Sequence, residues 1–323
     1  MDHSQRRMAH VSVIVVSWNS MAFLPALVSS LRQAFVRHSH ELIVVDNAST
    51  DDSRHWLARQ QGIRLHLSPA NLGFAAGCNL GAKLACGQVL LLLNPDSECL
   101  QPLDDLVDAA LAADTGAVGC ALVNRAGQMQ PSIGLEHRPL RLVLSWTGLD
   151  RLSWTPAFVR RTERRAARYR LAQPSVDWVS GACLATRAEV WRALKGLDED
   201  MFMYCEDEDY GYRVRRLGLH VRWLPAPSVL HVGHSGATWP GALGLERTAR
   251  SYWTLLAKRH GLAAARATCL AIGIVFCLRA VLLGSIPLSR AVDPARAPRA
   301  GAFARTGRSL VAWAWRGRPP TSS

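Results

Sequence analysis

Three short apolar runs constrain this chain more than any other feature. Val11–Val16 (VSVIVV), Leu42–Val45 (LIVV) and Gln88–Leu93 (QVLLLL) are nearly continuous rather than alternating, which is the pattern of strands covered on both faces. Helical stretches are expected over about Met21–Phe35, Ser53–Gln61 and Asn79–Ala85, with a further short strand at Arg64–Leu67. Strands alternating with helices build right-handed βαβ units and a mostly parallel sheet. The fold class is therefore α/β. Open sheets of this kind bind ligands at the carboxyl ends of their strands. The second run ends in Asp46 and the third in Asn94-Pro95-Asp96. One acid at a strand end is as often a turn former or helix cap, but two of them after buried strands point to one crevice.

The second half is less regular. Residues 125–176 scatter Trp, Pro and Arg and read as a long insertion, partly helical. Val176–Thr186 is strand-like and Ala188–Leu194 a short helix. Glu206-Asp207-Glu208-Asp209 opens a helix that carries Arg213, Arg215 and Arg216 in its last turn and ends at Gly218. Acids at the start and bases at the end agree with the helix macrodipole. Two more strands are expected at Leu219–Leu224 and Ser228–Val232, separated by Pro225 and Pro227.

Charge is localised. The chain has 323 residues, 49% hydrophobic and 20% charged, with a net charge of +13. Disordered and fibrous classes are excluded by that composition. Residues 125–170 carry ten Arg against Glu136, Asp150 and Glu163, and residues 286–323 carry seven Arg against Asp293 alone. Those two segments hold the whole surplus, so the folded body is balanced. Eight Cys at irregular spacings without a C-x-x-C pair fit a reducing compartment. The apolar run after MDHSQRRMAH is too short for a signal peptide, and a cytoplasmic chain is expected.

Gly261–Ser289 is apolar but broken by Arg266 and Arg279, with only twelve residues between them, fewer than the ~18–20 of a spanning helix. The two Arg lie about 140° apart on a helical wheel. The segment reads as a helix lying peripherally at the membrane interface, with the basic tail 290–323 disordered and drawn to anionic headgroups. A helix packed on the domain is the alternative.

Small polar groups crowd Asp46-Asn47-Ala48-Ser49-Thr50-Asp51-Asp52-Ser53, where a carboxylate suits a pyrimidine N–H or ribose hydroxyls, or else caps the next helix. Asn71-Leu72-Gly73-Phe74-Ala75-Ala76-Gly77-Cys78-Asn79 is glycine-rich and opens a helix whose amides suit a phosphate or sugar. It matches neither G-x-G-x-x-G nor G-K-[ST], which argues against dinucleotide oxidoreductases and P-loop NTPases.

Taken in order, VSVIVVSWN, DNASTDDS, NLGFAAGCN, LLLLNPD and EDEDYGYR resemble family 2 glycosyltransferases of the GT-A fold, and among these the bacterial rhamnosyltransferase-like members that build cell-envelope polysaccharides. The resemblance covers about residues 11–235. It implies a GT-A domain over 1–260, with a nucleotide-sugar half at about 11–120 and an acceptor half at about 170–240. It also implies donor contacts from Trp18, Asn19, Asp46, Asn47, Ser49, Asp51, Asn71, Gly73, Asn79, Asn94 and Asp96. Asn94 stands where the family's D-x-D motif has its first acid, so metal coordination by Mg²⁺ or Mn²⁺ rests on Asp96. By the same resemblance His231, 24 residues after Asp207, completes the metal site, with His234 as substitute. Asp207 is implied as catalytic base of an inverting transfer. Glu206, Asp209, Trp178, Gly181 and Ala182 are implied at the acceptor. The Arg-rich segment 151–170 is a candidate contact for a lipid-linked diphosphate or acidic headgroups.

The expected partners are a nucleotide-sugar donor, plausibly dTDP-rhamnose, a lipid-linked or polysaccharide acceptor and an anionic membrane surface, with no nucleic acid. Two other classes compete. A nucleotidyltransferase shares the sheet but wants a Gly-rich basic loop after the first strand, where this chain has Ser17-Trp18-Asn19-Ser20. A basic nucleic-acid-binding protein fits the Arg clusters but not the balanced body.

Overall fold

The computed structural model describes residues 10–147, 149, 175–233, 241–285 and 296–319. Of these, 10–134, 175–202 and 206–233 form one compact unit, and 135–147, 149, 203–205, 241–285 and 296–319 form a second.

The first unit is a sandwich of helices on a mixed sheet. It begins β1 (His10–Ser17), α1 (Leu24–Leu31), β2 (Ser39–Asp46), α2 (Ser53–Ala58), β3 (Ile63–Leu67), α3 (Phe74–Leu84) and β4 (Val89–Leu93). β5 (Ser97–Cys99), α4 (Asp104–Leu111), β6 (Thr115–Val123), β7 (Met129–Gln130) and β8 (Ile133–Gly134) follow. It closes with β9 (Trp178–Val179), β10 (Cys183–Arg187), α6 (Ala188–Ala193), α7 (Glu206–Arg216) and β11 (His220–His231). The main sheet runs β3-β2-β1-β4-β10-β6-β11-β5, with β7 on β6. β1–β4 are mutually parallel, while β10 enters antiparallel between β4 and β6.

The apolar runs are buried on both faces, as continuous runs require. Val11, Val13 and Val15 pack with α1 and α4 through Leu24, Leu27 and Leu106, whereas Ile14 and Val16 face Ala75 and Cys78 of α3. α3 lies close on β1 because its inner face is glycine. A Cβ on Gly77 would sit 2.7 Å from Val16 and one on Gly81 2.5 Å from Ile14. The register aligns Ser17 with Asp46, and Leu93 with Cys183. The ends of β1, β2 and β4 and the start of β10 therefore meet at one edge.

Several boundaries differ from the sequence reading. α3 starts at Phe74, five residues before the expected Asn79, because Asn47 and Phe202 hold its first turn. The two strands expected around Pro225 and Pro227 are one strand, β11, whose register with β6 shifts between Leu224 and Ser228. The shift absorbs the prolines, which cannot donate to a ladder.

The second unit contains α5 (Pro139–Thr147), α8 (Gly241–Ser285) and α9 (Arg296–Arg316). Helix thus begins well before residue 261, and Gly261 itself breaks α8 with φ 83°. The tail read as disordered holds α9. Its Ala302, Phe303, Leu310, Trp313 and Ala314 are buried, so tertiary packing supplies the stability that a sequence with five Arg and two Gly lacks alone. The Arg-rich segment 151–170 lies outside the described residues.

Candidate active site

One side of the candidate site is built from strand-end loops that bind one another. Asn19, with φ 49°, donates its backbone N–H to Ser49 Oγ at 2.9 Å, and its Oδ1 accepts from the N–H of Thr50 at 2.7 Å and of Asp51 at 3.3 Å. Asp51 accepts from the N–H groups of Met21 and Ser53, which keeps its carboxyl below the usual range despite partial burial. Both loops are thereby held in place, with Trp18 about half exposed at their lip. Asp46 is fully buried. One carboxylate oxygen takes the Ser49 N–H at 3.1 Å and pairs with Arg54 at 3.2 Å. The other, Oδ2, has no hydrogen-bond partner among the described residues. A buried carboxylate oxygen without a donor is costly unless a ligand supplies one.

Asn47, Asn71 and Gly73 form the next layer. Asn47 Nδ2 donates to Asn71 Oδ1 and to the Gly73 carbonyl, both at 3.0 Å, while its Oδ1 accepts the Leu72 N–H at 2.9 Å. Gly73 has φ 84°, and a Cβ there would lie 2.3 Å from the Phe202 carbonyl, which accepts the Phe74 N–H at 2.8 Å. The side chain of Asn47 is thus spent on shaping the loop. Asn79, expected at the donor, points elsewhere. Its amide binds the backbone of Leu197 at 2.8 and 2.9 Å and Glu199 at 2.9 Å, so it anchors α3 to the 197–199 loop. Its place on the inner face of α3, among small residues, explains the difference.

Asn94, Asp96 and His231 converge. Gln130 fixes the imidazole. Its Nε2 donates to the His231 carbonyl at 2.8 Å, which turns its Oε1 to His231 Nδ1 at 2.9 Å. Nδ1 must then carry the proton, and Nε2 presents its lone pair. That lone pair lies 3.5 Å from Asp96 Oδ1 and accepts from Asn94 Nδ2 at 3.1 Å. Burial lowers the His231 pKa, with Asp96 opposing, so the ring is neutral near pH 7. Asp96 Oδ2 takes the Gly233 N–H at 2.9 Å. Two acceptor atoms that face one another fit a cation between them. Imidazole oriented by an outer partner is the usual form of a metal-ligating His. His234 lies outside the described residues. Among the described residues the one grouping of three potential ligands is His10, Glu41 and Cys86. It sits at the opposite strand ends.

The acidic quartet opens α7. Tyr204 and Cys205 just before it have φ 72° and 70°. Asp207 Oδ2 accepts the Gly181 N–H at 3.0 Å and Oδ1 the Glu208 N–H at 2.8 Å. Glu206 is buried, and burial together with Asp207 pushes its carboxyl well above the usual range. It adds no charge beside Asp207. Asp209 pairs with Arg213 at 2.6 Å, and Arg213 donates to the Leu194 and Gly196 carbonyls at 2.8 Å. Asp209 therefore braces the site from behind rather than facing an acceptor, because it lies one half-turn round α7 from Asp207. Trp178 is wedged over Gly134 and Gly211, where Cβ atoms would sit 2.3 and 3.0 Å from it. Gly181 fits between Phe74 and Asp207.

One run of hydrogen bonds joins these parts. Asp207 receives the Gly181 N–H, the next residue's carbonyl, Ala182, accepts the Asn94 N–H at 3.1 Å, and Asn94 reaches His231. The acidic quartet, the Asn94–Asp96 turn and the imidazole are thus tied together at one end of the sheet.

Comparison with known proteins agrees. The chain matches the model of glycosyl transferase family 2 over residues 12–165. It is 30% identical over 269 residues to the N-acetylglucosaminyl-diphospho-decaprenol L-rhamnosyltransferase of Mycobacterium tuberculosis, covering 77% of this chain and 84% of that one. The chain belongs to glycosyltransferase family 2. Its fold is GT-A. A mannosyltransferase from Pyrobaculum calidifontis, solved with GDP-mannose and Mn²⁺, superimposes with a TM-score of 0.56 at 16% identity, covering 95% of this chain and 88% of that one. Staphylococcus aureus TarS 1–349, solved with UDP, gives 0.50 at 14% identity over 96% and 92%. This family 2 enzyme is rhamnosyltransferase-like. Sequence reasoning singled out Asp46, Asp96 and Asp207 but not Gln130 or Arg54. Gln130 sits in a stretch read as insertion, with nothing local to mark it. Arg54 follows the acidic loop directly and was open to notice as the nearest cation to Asp46.

Proposed function

We propose that the enzyme transfers rhamnose from dTDP-rhamnose, with inversion, to a lipid-linked or polysaccharide acceptor in cell-envelope glycan synthesis, at the cytoplasmic face of the membrane. The run of hydrogen bonds from Asp207 through Gly181–Ala182 to Asn94 and His231 carries this reading. It holds a base and a diphosphate-binding pair a fixed distance apart. The printed name of the M. tuberculosis relative supports the sugar and a lipid diphosphate acceptor.

The residues divide the work. Asp46 Oδ2 suits the N–H of a pyrimidine base, and the Trp18 indole offers a face at the lip of the pocket. Asp96 Oδ1 and His231 Nε2, whose lone pair the Asn94 amide would release, would hold Mg²⁺ or Mn²⁺, whose charge would offset that of the diphosphate. Two protein ligands suffice when the donor's phosphates supply the rest. Asp207, oriented by two backbone N–H groups, takes the acceptor hydroxyl proton as the oxygen attacks the anomeric carbon and the bond to the diphosphate breaks. Approach opposite the leaving group inverts that carbon. Glu206 keeps its proton and lies beside the acceptor path, and Trp178 and Gly181 set the wall there.

A thermal-shift screen of nucleotide sugars with and without Mn²⁺ tests the proposal, since a ligand of the folded state raises the melting temperature. dTDP-rhamnose with Mn²⁺ is expected to give the largest rise. A larger rise with another sugar would replace the donor, and no rise with any of them would remove the reading.

A further inference from the structure

The C-terminal helical pair carries chemistry that sugar transfer does not use. Residues 262–285 of α8 and α9 form an antiparallel hairpin. Arg266 donates to the Ala314 carbonyl at 2.6 Å and the Trp315 carbonyl at 3.1 Å, Gly273 approaches Gly307, and the Phe276 and Phe303 rings lie 5.0 Å apart. Small residues at the crossing let the two backbones come close. Arg279 donates to the Thr147 carbonyl at 2.8 Å and stacks 5.7 Å from the Phe303 ring. Arg279 is half-buried, whereas Arg266, although bound to the α9 carbonyls, stays exposed beside the apolar side chains of α8.

Apart from Arg266, the exposed large side chains of that face of α8 form an apolar stripe. Leu262, Leu270, Ile274, Leu278, Val281 and Leu282 are 42–64% exposed, at helical spacing along about 30 Å. Scattered exposed apolar residues need no explanation, but a contiguous stripe does. Beside it, an open groove of about 680 Å³ between α8 and α9 is lined by Leu270, Val311 and Trp315 with Arg266, Arg308 and Arg316. Trp315 is 86% exposed. Arg305, Arg308 and Arg316 are exposed, and neither 262–285 nor 296–316 contains an acid.

From this geometry we infer that the hairpin is a binding site for anionic phospholipid, with the α8 stripe in the acyl boundary, a chain in the groove, and Arg305, Arg308 and Arg316 on headgroup phosphates. Apolar length alone would allow α8 to cross a membrane, but the hairpin lies on the surface. Spanning would carry Arg305 and Arg308, near the middle of α9, into hydrocarbon. A tryptophan at the boundary and arginines level with the headgroups are the usual features of an interfacial helix. The stripe is longer than a single-chain ligand needs, which favours bilayer lipid over one lipid-linked acceptor molecule.

Vesicle flotation of the full chain tests this, without donor, acceptor or polyprenyl lipid, so that its failure leaves the transferase reading standing. Two vesicle types serve: phosphatidylcholine alone, and phosphatidylcholine with about a third phosphatidylglycerol. The chain is expected to float with the anionic vesicles, less so as salt rises. Ile274→Ser with Leu278→Ser should weaken binding about 100-fold, near tenfold for each side chain. Arg305→Gln, Arg308→Gln and Arg316→Gln together should remove the preference for phosphatidylglycerol. Trp315→Ser gives an independent test should the double variant fold poorly. Val36→Ser, an exposed apolar site in the first unit, should change nothing. The inference falls if Ile274→Ser with Leu278→Ser and Trp315→Ser float like the parent. It also falls if binding needs added polyprenyl phosphate, or if the stripe instead holds a dimer in solution that Ile274→Ser with Leu278→Ser splits.

Discussion

The crevice of the first unit and the helical hairpin of the second handle charge in opposite ways. In the crevice, polar side chains are buried and bound to one another: Asn47 to Asn71, Gln130 to His231, Asp209 to Arg213. In the hairpin, Arg266 and Arg279 are spent on backbone carbonyls, Arg305, Arg308 and Arg316 stand outward, and one row of large apolar side chains on α8 is exposed. A buried polar network holds its members at fixed distances, which transition-state stabilisation requires. An outward face tolerates substitution, because its contacts are made only with a partner. Substitutions in the crevice should therefore change chemistry, and those on the hairpin face should leave the isolated fold unchanged.

The largest expected effect is at Asp207. Asp207→Asn keeps one of the two backbone hydrogen bonds, since the amide nitrogen cannot accept an N–H, and removes the proton acceptor, so transfer should fall by about 10²–10⁴-fold while calorimetry shows donor binding intact. Retained activity would separate the quartet from the chemistry. Next is Gln130→Ala, which frees the His231 tautomer. Mn²⁺ affinity measured by calorimetry should fall by about 10–100-fold, and an unchanged affinity would detach β7 from the site.

A smaller effect, opposite in sign, is expected at Glu206. Its folded pKa is raised, whereas the unfolded value is 4.5. Above pH 4.5 the unfolded chain releases a proton that the folded chain keeps, so stability from this group is full below that value and is lost as pH rises. Glu206→Gln should raise the melting temperature by a few degrees at pH 8 and not at pH 4. The smallest effect is on the hairpin: Ile274→Ser with Leu278→Ser should alter unfolding in solution by no more than about 0.5 kcal/mol per site. A large loss in urea would mean that the stripe is already covered, ending the contrast.

The strands that place the site were legible because they are buried on both faces and end in polar residues, as Val11–Val16 and Gln88–Leu93 do. Asp46 and Asp96 were legible for the same reason, and Asp207 because it opens a helix whose last turn is basic. Three features were not. β10 runs antiparallel between β4 and β6, pairing with residues 65 to 98 positions away, which no local pattern encodes. Asn79 sits in a motif that resembles donor contacts, yet its partner, Leu197, lies 118 residues away. α9 was hidden because Arg, Gly301 and Gly307 dilute its periodicity, although Gly307 is what permits the close crossing with Gly273.

The link between Asp207 and Asn94 is only two residues long, Gly181 and Ala182, and the turn around it is tied by Ser180, which accepts the N–H of Ala182 at 3.3 Å and of Cys183 at 3.2 Å. So short a tether has almost no slack. If the proposed roles hold, lengthening it by a single residue would leave the strand-end loops and the acid helix each intact and yet uncouple them, so that two sound halves would no longer make one working enzyme.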